Sequence, residues 1–134
     1  MELACDGGCP NNGRSNVVKW RVYDLDKKKL VVDRVYEFPE GSEYKATNNL
    51  AELFALVAAL KIAEPNSCIY TDSQVVLTWL DNMQRMGRLS KNDSKAQYKI
   101  FEGVRIAIGL IDKKNIKVYK WRKDLFGETP ADCK

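Results

Sequence analysis

Residues 50–63, LAELFALVAALKIA, constrain the fold more than any other stretch because only two of these fourteen residues are polar, Glu52 and Lys61. A helix that is apolar on every side must be buried. The stretch is shorter than the roughly 20 apolar residues that a membrane-spanning helix needs, so it predicts the central helix of a folded core. Lys61 can reach solvent along its stem, but Glu52 cannot easily do so. Its carboxylate therefore needs a cation or hydrogen-bond donors nearby, and a metal ion is one candidate.

The composition is that of one ordinary globular domain, and we expect residues 1–134 to form it. The charged fraction is 30%, the hydrophobic fraction is 45%, and the net charge of +4 permits a polyanionic partner without requiring one. The cysteines include no Cys-x-x-Cys pair and the sequence contains no histidine, so a structural zinc site is not expected. The N-terminal sequence MELACDGG does not resemble a secretory signal, so a cytoplasmic location is expected by default.

Apolar and alternating runs predict five strands. Residues 1–6 lead into the turn-rich sequence DGGCPNNG, and residues 16–23 and 30–38 follow as two more strands, which together predict an antiparallel meander. After the central helix, SCIYTD predicts a fourth strand that a parallel crossover places beside the meander, and residues 116–121 predict the last. The sequence therefore predicts an α/β fold with a five-stranded mixed sheet.

Helical spacing recurs in residues 73–85 and 97–111, although Gly103 and Gly109 weaken the second pattern. Near the end of the chain, Thr129 is a candidate N-cap with Pro130 at the first helical position, which predicts a helix that begins there and ends almost at once. The central helix has three candidate N-caps, namely Thr47, Asn48 and Asn49.

Acidic residues lie where folds of this class form sites. Asp6 ends the first strand, Asp72 ends the strand after the crossover, and Glu52 lies near the start of the helix between them. In open α/β sheets, sites form at the carboxyl ends of parallel strands, so Asp6 and Asp72 share an edge if their strands are neighbours. Asp132 is a candidate fourth member. A turn or a helix cap explains each aspartate alone, but neither explains Glu52.

The motifs DGGCPNNG, TNNLAEL, YTDSQVV and the terminal PAD, in this order and spacing, resemble the type 1 ribonuclease H family over nearly the whole chain. The resemblance implies a ribonuclease H-like fold, with the C-terminal helix truncated here. It also implies hydrolysis of the RNA strand of RNA/DNA hybrids, giving 5′-phosphate and 3′-hydroxyl ends. The implied ligands of two Mg²⁺ ions, for which Mn²⁺ is an alternative, are Asp6, Glu52, Asp72 and Asp132.

The chemistry of the ions agrees with these ligands. Mg²⁺ prefers oxygen ligands, and two ions about 3.5–4 Å apart activate the attacking water and stabilise the leaving oxygen. Without metal the acids should repel one another, because two like charges 4 Å apart interact by about 4 kcal/mol at an effective dielectric constant of 20. We therefore predict that at least one of the four acids has a raised pKa in the metal-free protein.

The same resemblance implies contacts with the hybrid. Recognition of RNA requires contact with the 2′-hydroxyl, which donates and accepts. The candidates are the backbone around Cys9 and the side chains of Asn11, Asn12, Asn48, Gln74 and Glu52. The family's pocket for a phosphate of the DNA strand corresponds to Lys45, Thr47 and Asn49. Turn formation is an equal alternative for Asn11 and Asn12, as solvation is for Lys45.

A basic segment corresponds to a shortened form of the family's substrate-binding protrusion, and it comprises Arg85, Arg88, Lys91, Lys95 and Lys99. Trp79 either stacks on the DNA strand or belongs to the core, and its helical spacing favours the core. Many family members carry a histidine before the last acid, and this chain has none. Arg122 or Lys123 could replace its electrostatic role, although neither is a good proton shuttle at neutral pH.

A redox role for Cys5, Cys9 or Cys133 is the weakest alternative, although Cys5 and Cys133 each adjoin a candidate ligand. Two stronger alternatives remain. One is another nuclease of the same fold, and the candidate 2′-hydroxyl contacts together with Glu52 argue against it. The other is a catalytically silent domain that binds hybrids, and the presence of all four acids argues against that. We expect a monomer whose partner is an RNA/DNA hybrid, with no membrane association.

Overall fold

The structure is a computed structural model that describes residues 1–10, 16–42, 46–87 and 95–133. Its elements follow the predicted order. The strands are β1 (Glu2–Gly8), β2 (Val17–Asp24), β3 (Lys29–Glu37), β4 (Cys68–Thr71) and β5 (Lys117–Lys120). The helices are α1 (Asn48–Ile62), α2 (Gln74–Met86), α3 (Lys95–Lys114) and the short α4 (Lys123–Phe126). Within these ranges, no helix has the length and apolar character needed to cross a bilayer.

The strands form one five-stranded sheet in the order β3-β2-β1-β4-β5. The pairs β1–β2 and β2–β3 are antiparallel, and the pairs β1–β4 and β4–β5 are parallel, so the predicted mixed sheet is confirmed. Cys5 pairs with Thr71 in the register of β1 and β4. The residues that follow them, Asp6 and Asp72, therefore lie at the same edge of the sheet.

Helix α1 packs on this sheet through an apolar face that includes Leu53, Leu56 and Leu60, all fully buried. The prediction that the helix is buried on every side is wrong for its outer face, because Ile62 is 42% exposed. That face lines a groove of about 620 Å³ with β2, β3 and α3. One sheet and one neighbouring helix cover two sides of α1, and a chain of this size has too little core to cover the third.

Helix α3 begins at Lys95 and continues to Lys114 through both glycines. Gly103 allows the close approach of α3 to α1, since a Cβ atom there would lie 2.8 Å from a methyl carbon of Leu53. The N-cap of α1 is Thr47, whose Oγ1 accepts a hydrogen bond from the N–H of Leu50 at 3.1 Å.

The helix predicted at Thr129 is present as a turn, in which the N–H of Asp132 donates to the carbonyl of Thr129 at 3.1 Å. The sequence analysis did not predict α4, which ends at Gly127 with a φ of 72°. Trp79 is partly buried against the hydrophobic core, which agrees with the core interpretation.

Lys114 caps the C-terminal end of α1 from α3. Its Nζ donates to the carbonyl oxygens of Leu60, Lys61 and Ala63 at 2.7, 3.0 and 2.9 Å. The last carbonyls of a helix lack partners within the helix and carry its negative dipole end. One ammonium group therefore satisfies the end of the central helix and fixes α3 beside it.

We predict that Lys114→Met lowers the free energy of unfolding by about 1.5–3 kcal/mol, because the substitution removes hydrogen bonds from a charged donor to half-buried carbonyls. Urea denaturation measures the change. The control is Lys113→Met, an exposed neighbour on the same helix. Equal stability of the two variants would show that the contacts of Lys114 contribute nothing.

Candidate active site

Three carboxylates converge where β1, β4 and α1 meet. Asp6 lies near the end of β1, Asp72 follows β4 directly, and Glu52 projects from the N-terminal part of α1. One carboxylate oxygen from each lies within 4.8 Å of the others. Asp6 and Glu52 are each 8% exposed, and the side chain of Asp72 is 18% exposed. The structure thus brings together three of the four predicted acids.

Gly7 makes this convergence possible. A Cβ atom on Gly7 would lie 2.2 Å from the carbonyl carbon and oxygen of Ala51, which is closer than atoms can approach. The backbone of α1 therefore rests directly on β1, and the next residue along the helix is Glu52. The N–H of Gly7 donates to Oε1 of Glu52 at 3.0 Å, which fixes the carboxyl group beside Asp6.

The other carboxyl oxygen of Glu52, Oε2, is buried and has no hydrogen-bond partner among the described residues. The pKa of Glu52 is raised to about 10, chiefly by burial and then by the neighbouring Asp6 carboxylate. Burial also raises the pKa of Asp6. At neutral pH without metal, Glu52 therefore holds a proton. The prediction of a raised pKa in this cluster agrees with the structure.

These three residues fit a divalent cation. A buried carboxyl oxygen without a donor is costly, and so is a cluster of negative charges with little solvent. A cation among the three side chains would remove both penalties, and carboxylates are the ligands that hard cations such as Mg²⁺ prefer.

Asp132 lies outside this group of three but lines the same cleft, whose volume is about 540 Å³. Its negative charge contributes to the raised pKa of Asp6. The next residue contacts Asp6 directly, because the N–H of Cys133 donates to Oδ2 of Asp6 at 2.9 Å and its thiol donates to the Asp6 carbonyl at 3.3 Å. Burial, followed by the charge of Asp6, raises the pKa of the Cys133 thiol to about 12.

Some of the predicted substrate contacts line the cleft, some lie elsewhere on α1 and α2, and some lie outside the described residues. The N–H of Cys9 donates to Oδ1 of Asn48 at 2.9 Å, and both residues line the cleft. Asn49 lies exposed in the first turn of α1, beside the capping residue Thr47. Three predicted residues lie outside the described residues, namely Asn11, Asn12 and Lys45.

Gln74 lies at the start of α2, where its Oε1 accepts a hydrogen bond from Nζ of Lys120 at 3.3 Å. In the predicted basic segment, Arg85 pairs with Asp81 at 2.9 Å within α2. Arg88 and Lys91 lie outside the described residues. These positions are compatible with substrate contacts, and the roles stay predictions.

Of the two loop cations, Lys123 is the one at the site. Its Nζ lies 3.3 Å from Oδ2 of Asp72 and 3.4 Å from Oε2 of Glu128. Arg122 instead pairs with Asp124 through two hydrogen bonds of 3.0 and 2.7 Å. Sequence reasoning could not choose between them, because the choice depends on the direction in which α4 leaves β5.

Two further residues of the cleft were missed. Lys19 lines it together with Lys123, and the strand pattern of residues 16–23 did not single it out. Cys133 was noted for its position beside a candidate ligand, but nothing in the sequence indicated its hydrogen bond to Asp6. The contact joins residues 127 positions apart, so only the sheet order reveals it.

The fold and the three-acid site together define a ribonuclease H-like protein. The model of the RNase H family matches residues 1–121, and the chain therefore belongs to this family. No curated protein sequence matches the chain.

Solved structures of other RNases H share the fold. RNase H1 from the halophilic archaeon Halobacterium salinarum is 22% identical over 92% of this chain and 86% of its own, with a TM-score of 0.59. The N-terminal RNase H domain of a Mycobacterium tuberculosis protein is 20% identical over 91% and 87%, with a TM-score of 0.53. LC11-RNase H1, solved with an RNA/DNA hybrid, is 17% identical over 92% and 86%, also at 0.53. At these identities the likeness concerns the fold.

We predict that Gly7→Ala lowers the free energy of unfolding by about 2 kcal/mol or more, because the new methyl group forces α1 away from β1. Gly8→Ala is the matched control. Its Cβ would lie 3.7 Å from Cβ of Cys133, an ordinary contact, and we expect a change below about 1 kcal/mol. Chemical denaturation compares the two, and similar losses would contradict the close-packing explanation.

We also predict that stability in chelator falls as pH rises between about 4.5 and 10, the ordinary and folded pKa values of Glu52. In that window the folded protein holds a proton that the unfolded chain has lost, so rising pH favours unfolding. One such proton accounts for at most about 1.4 kcal/mol per pH unit.

Glu52→Gln removes this contribution, so the variant should lose less stability than the unmodified protein between about pH 5.5 and pH 8.5. Urea denaturation at both pH values provides the measurement. Glu64→Gln, at an exposed position beyond α1, is the control and should behave like the unmodified protein. Parallel pH profiles for the Glu52→Gln variant and the unmodified protein would exclude a raised pKa at Glu52.

Proposed function

We propose that this chain is an endoribonuclease that hydrolyses the RNA strand of RNA/DNA hybrids with two divalent ions, Mg²⁺ in the first instance, giving 5′-phosphate and 3′-hydroxyl ends. The convergence of Asp6, Glu52 and Asp72 around a buried oxygen without a donor, in a member of the RNase H family, carries this proposal. That LC11-RNase H1 was solved with an RNA/DNA hybrid supports the substrate class.

The chain's own carboxylates would hold the ions. Asp6, Glu52 and Asp72 provide the converging oxygens, and Asp132 would complete the set from the other side of the cleft. Divalent ions, when bound, stabilise negative charge on phosphate oxygens and lower the pKa of a bound water. Glu52 must release its proton before it can act as a ligand, so acidic conditions oppose loading of the site.

The surroundings of the acids suit a phosphodiester backbone. Lys19 and Lys123 line the same cleft as the carboxylates and can attract phosphate groups. Asn48 fixes the N–H of Cys9, which places backbone and carboxamide groups at the cleft wall, where a ribose 2′-hydroxyl can be read. We retain Asn11, Asn12, Lys45, Thr47, Asn49 and Gln74 as further proposed contacts.

Lys123 is the proposed substitute for the electrostatic part of the missing histidine. Its ammonium group contacts Asp72, so its positive charge can stabilise negative charge near that carboxylate without transfer of a proton. Arg122 is engaged with Asp124 and is assigned no role in the reaction. We further propose that the protein acts as a monomer in the cytoplasm.

We predict that the protein cleaves the RNA strand of a labelled RNA/DNA hybrid when Mg²⁺ is present and leaves matched RNA and DNA duplexes intact. Gel separation of the products shows both the strand and the end groups. Binding of the hybrid without metal-dependent cleavage would favour the silent hybrid-binding alternative, and cleavage of the duplexes would favour a different nuclease of this fold.

Asp72→Asn should reduce cleavage by at least about a hundredfold, since the reaction requires the ligand charge. The same variant should melt at a higher temperature in chelator, because it removes a charge that raises the pKa values of Asp6 and Glu52. The lost ion pair with Lys123 offsets this gain only slightly, because the Lys123 side chain is 46% exposed and solvent screens the pair. Asp81→Asn, at an exposed acid of α2, is the control for both measurements.

A further inference from the structure

Arg21 of β2 holds the terminal segment that carries Asp132. Its Nη1 donates to the main-chain carbonyl of Asp132 at 2.9 Å, across 111 positions of sequence. The register of β1 and β2 pairs Arg21 with Asp6, so the arginine lies beside the three-acid cluster. Arg21 therefore connects the main chain of Asp132 to the strand that pairs with β1, at the position opposite Asp6.

The guanidinium group is itself oriented from the other side. Nε of Arg21 donates to Oδ1 of Asp33 on β3 at 3.2 Å, and Asp33 is the partner of Arg21 in the register of β2 and β3. Asp6, Arg21 and Asp33 thus form one row across three neighbouring strands. An arginine fork anchored at one nitrogen presents the others in a fixed direction, which suits it to hold a single carbonyl.

The contact of Arg21 differs in kind from the other contacts of this segment. Cys133 donates hydrogen bonds to Asp6, one of the proposed ligands, from its N–H and its thiol. The hydrogen bond from Arg21 ends on a main-chain oxygen and occupies no carboxylate oxygen of the four acids. It can therefore persist unchanged whatever the carboxylates bind.

We propose that Arg21 is a positioning residue, which holds the main chain of Asp132 so that its carboxylate stays at the cleft beside Asp6. The consequence for metal binding rests on the proposed function, in which Asp132 is a ligand. The attachment itself does not, because it follows from the hydrogen bonds of Arg21 to Asp132 and Asp33.

The test compares Arg21→Met with the unmodified protein by amide hydrogen exchange and by metal binding. A hydrogen bond from a charged donor corresponds to about a tenfold change in a local equilibrium, so deuterium uptake over residues 129–133 should become about tenfold faster. Uptake in α1 should not change. Calorimetric titration with Mg²⁺, without nucleic acid, should show weaker binding by a similar factor.

In hybrid cleavage, the Mg²⁺ concentration for half-maximal rate should rise about tenfold, while the rate at saturating Mg²⁺ changes much less. Arg21→Lys, which retains the charge and a donor, should restore part of each effect. Arg34→Met on β3 is the matched control, because this exposed arginine lines the groove beside α1 and not the cleft. Asp33→Asn, which leaves Arg21 in place, should give changes in the same direction but smaller.

Unchanged exchange over residues 129–133 in Arg21→Met would overturn the proposal. Faster exchange with unaltered Mg²⁺ binding would overturn it equally, since the segment would then move without affecting the site. If the unmodified protein cleaves no hybrid, the proposed function fails, and exchange together with calorimetry still decides the role of Arg21.

Discussion

The contact between Gly7 and the backbone of α1 at Ala51 is the constraint on which the site depends. Because Gly7 has no side chain, the backbone of α1 approaches β1 closely at this position. The side chain of Glu52 then lies beside Asp6. The N–H of Gly7 then satisfies one oxygen of that carboxyl group. A single glycine thus sets both the distance between β1 and α1 and the position of the buried Glu52.

This arrangement is electrostatically unfavourable by itself, and the apolar part of α1 offsets the cost. Leu53, Leu56 and Leu60 bury completely on the same helix, and each contributes roughly 1.5–3 kcal/mol of transfer free energy. The helix therefore stays in place even though Glu52 is forced to retain its proton when no cation is present. A proton and a bound metal ion would compete for the same oxygens, so loading of a metal at this site would be linked to pH.

The sequence indicated those features that depend on local pattern. Glu52 stood out because a carboxylate interrupted an apolar helix. Strand periodicity with one crossover predicted that Asp6 and Asp72 share an edge if their strands are neighbours, and the sheet order makes them neighbours. Features that depend on which distant surfaces meet were not predictable. Neither the cap that Lys114 provides for α1 nor the hydrogen bond from Cys133 to Asp6 has a sequence signal, because each joins residues that only the sheet topology brings together.

The exposed face of α1 was missed for a related reason, since an apolar pattern shows what can be buried and not what is available to cover it.

The basic residues show why net charge alone is a poor guide to function. Lys114 caps the C-terminal end of α1, Arg21 donates to the carbonyl of Asp132, and Lys123 forms an ion pair with Asp72. Several of the cations that make the chain basic therefore act within the fold. Their charges still count toward the net charge of +4, but the positions of these three side chains are set by contacts within the chain. Under the proposed function, the distinction between RNA and DNA falls to neutral groups such as the carboxamide of Asn48, which lies at the wall of the acidic cleft and accepts a hydrogen bond from the N–H of Cys9 through its Oδ1. In this chain, charged groups fix the positions of the residues around the cleft, and under the proposed function neutral hydrogen-bonding groups would select the strand.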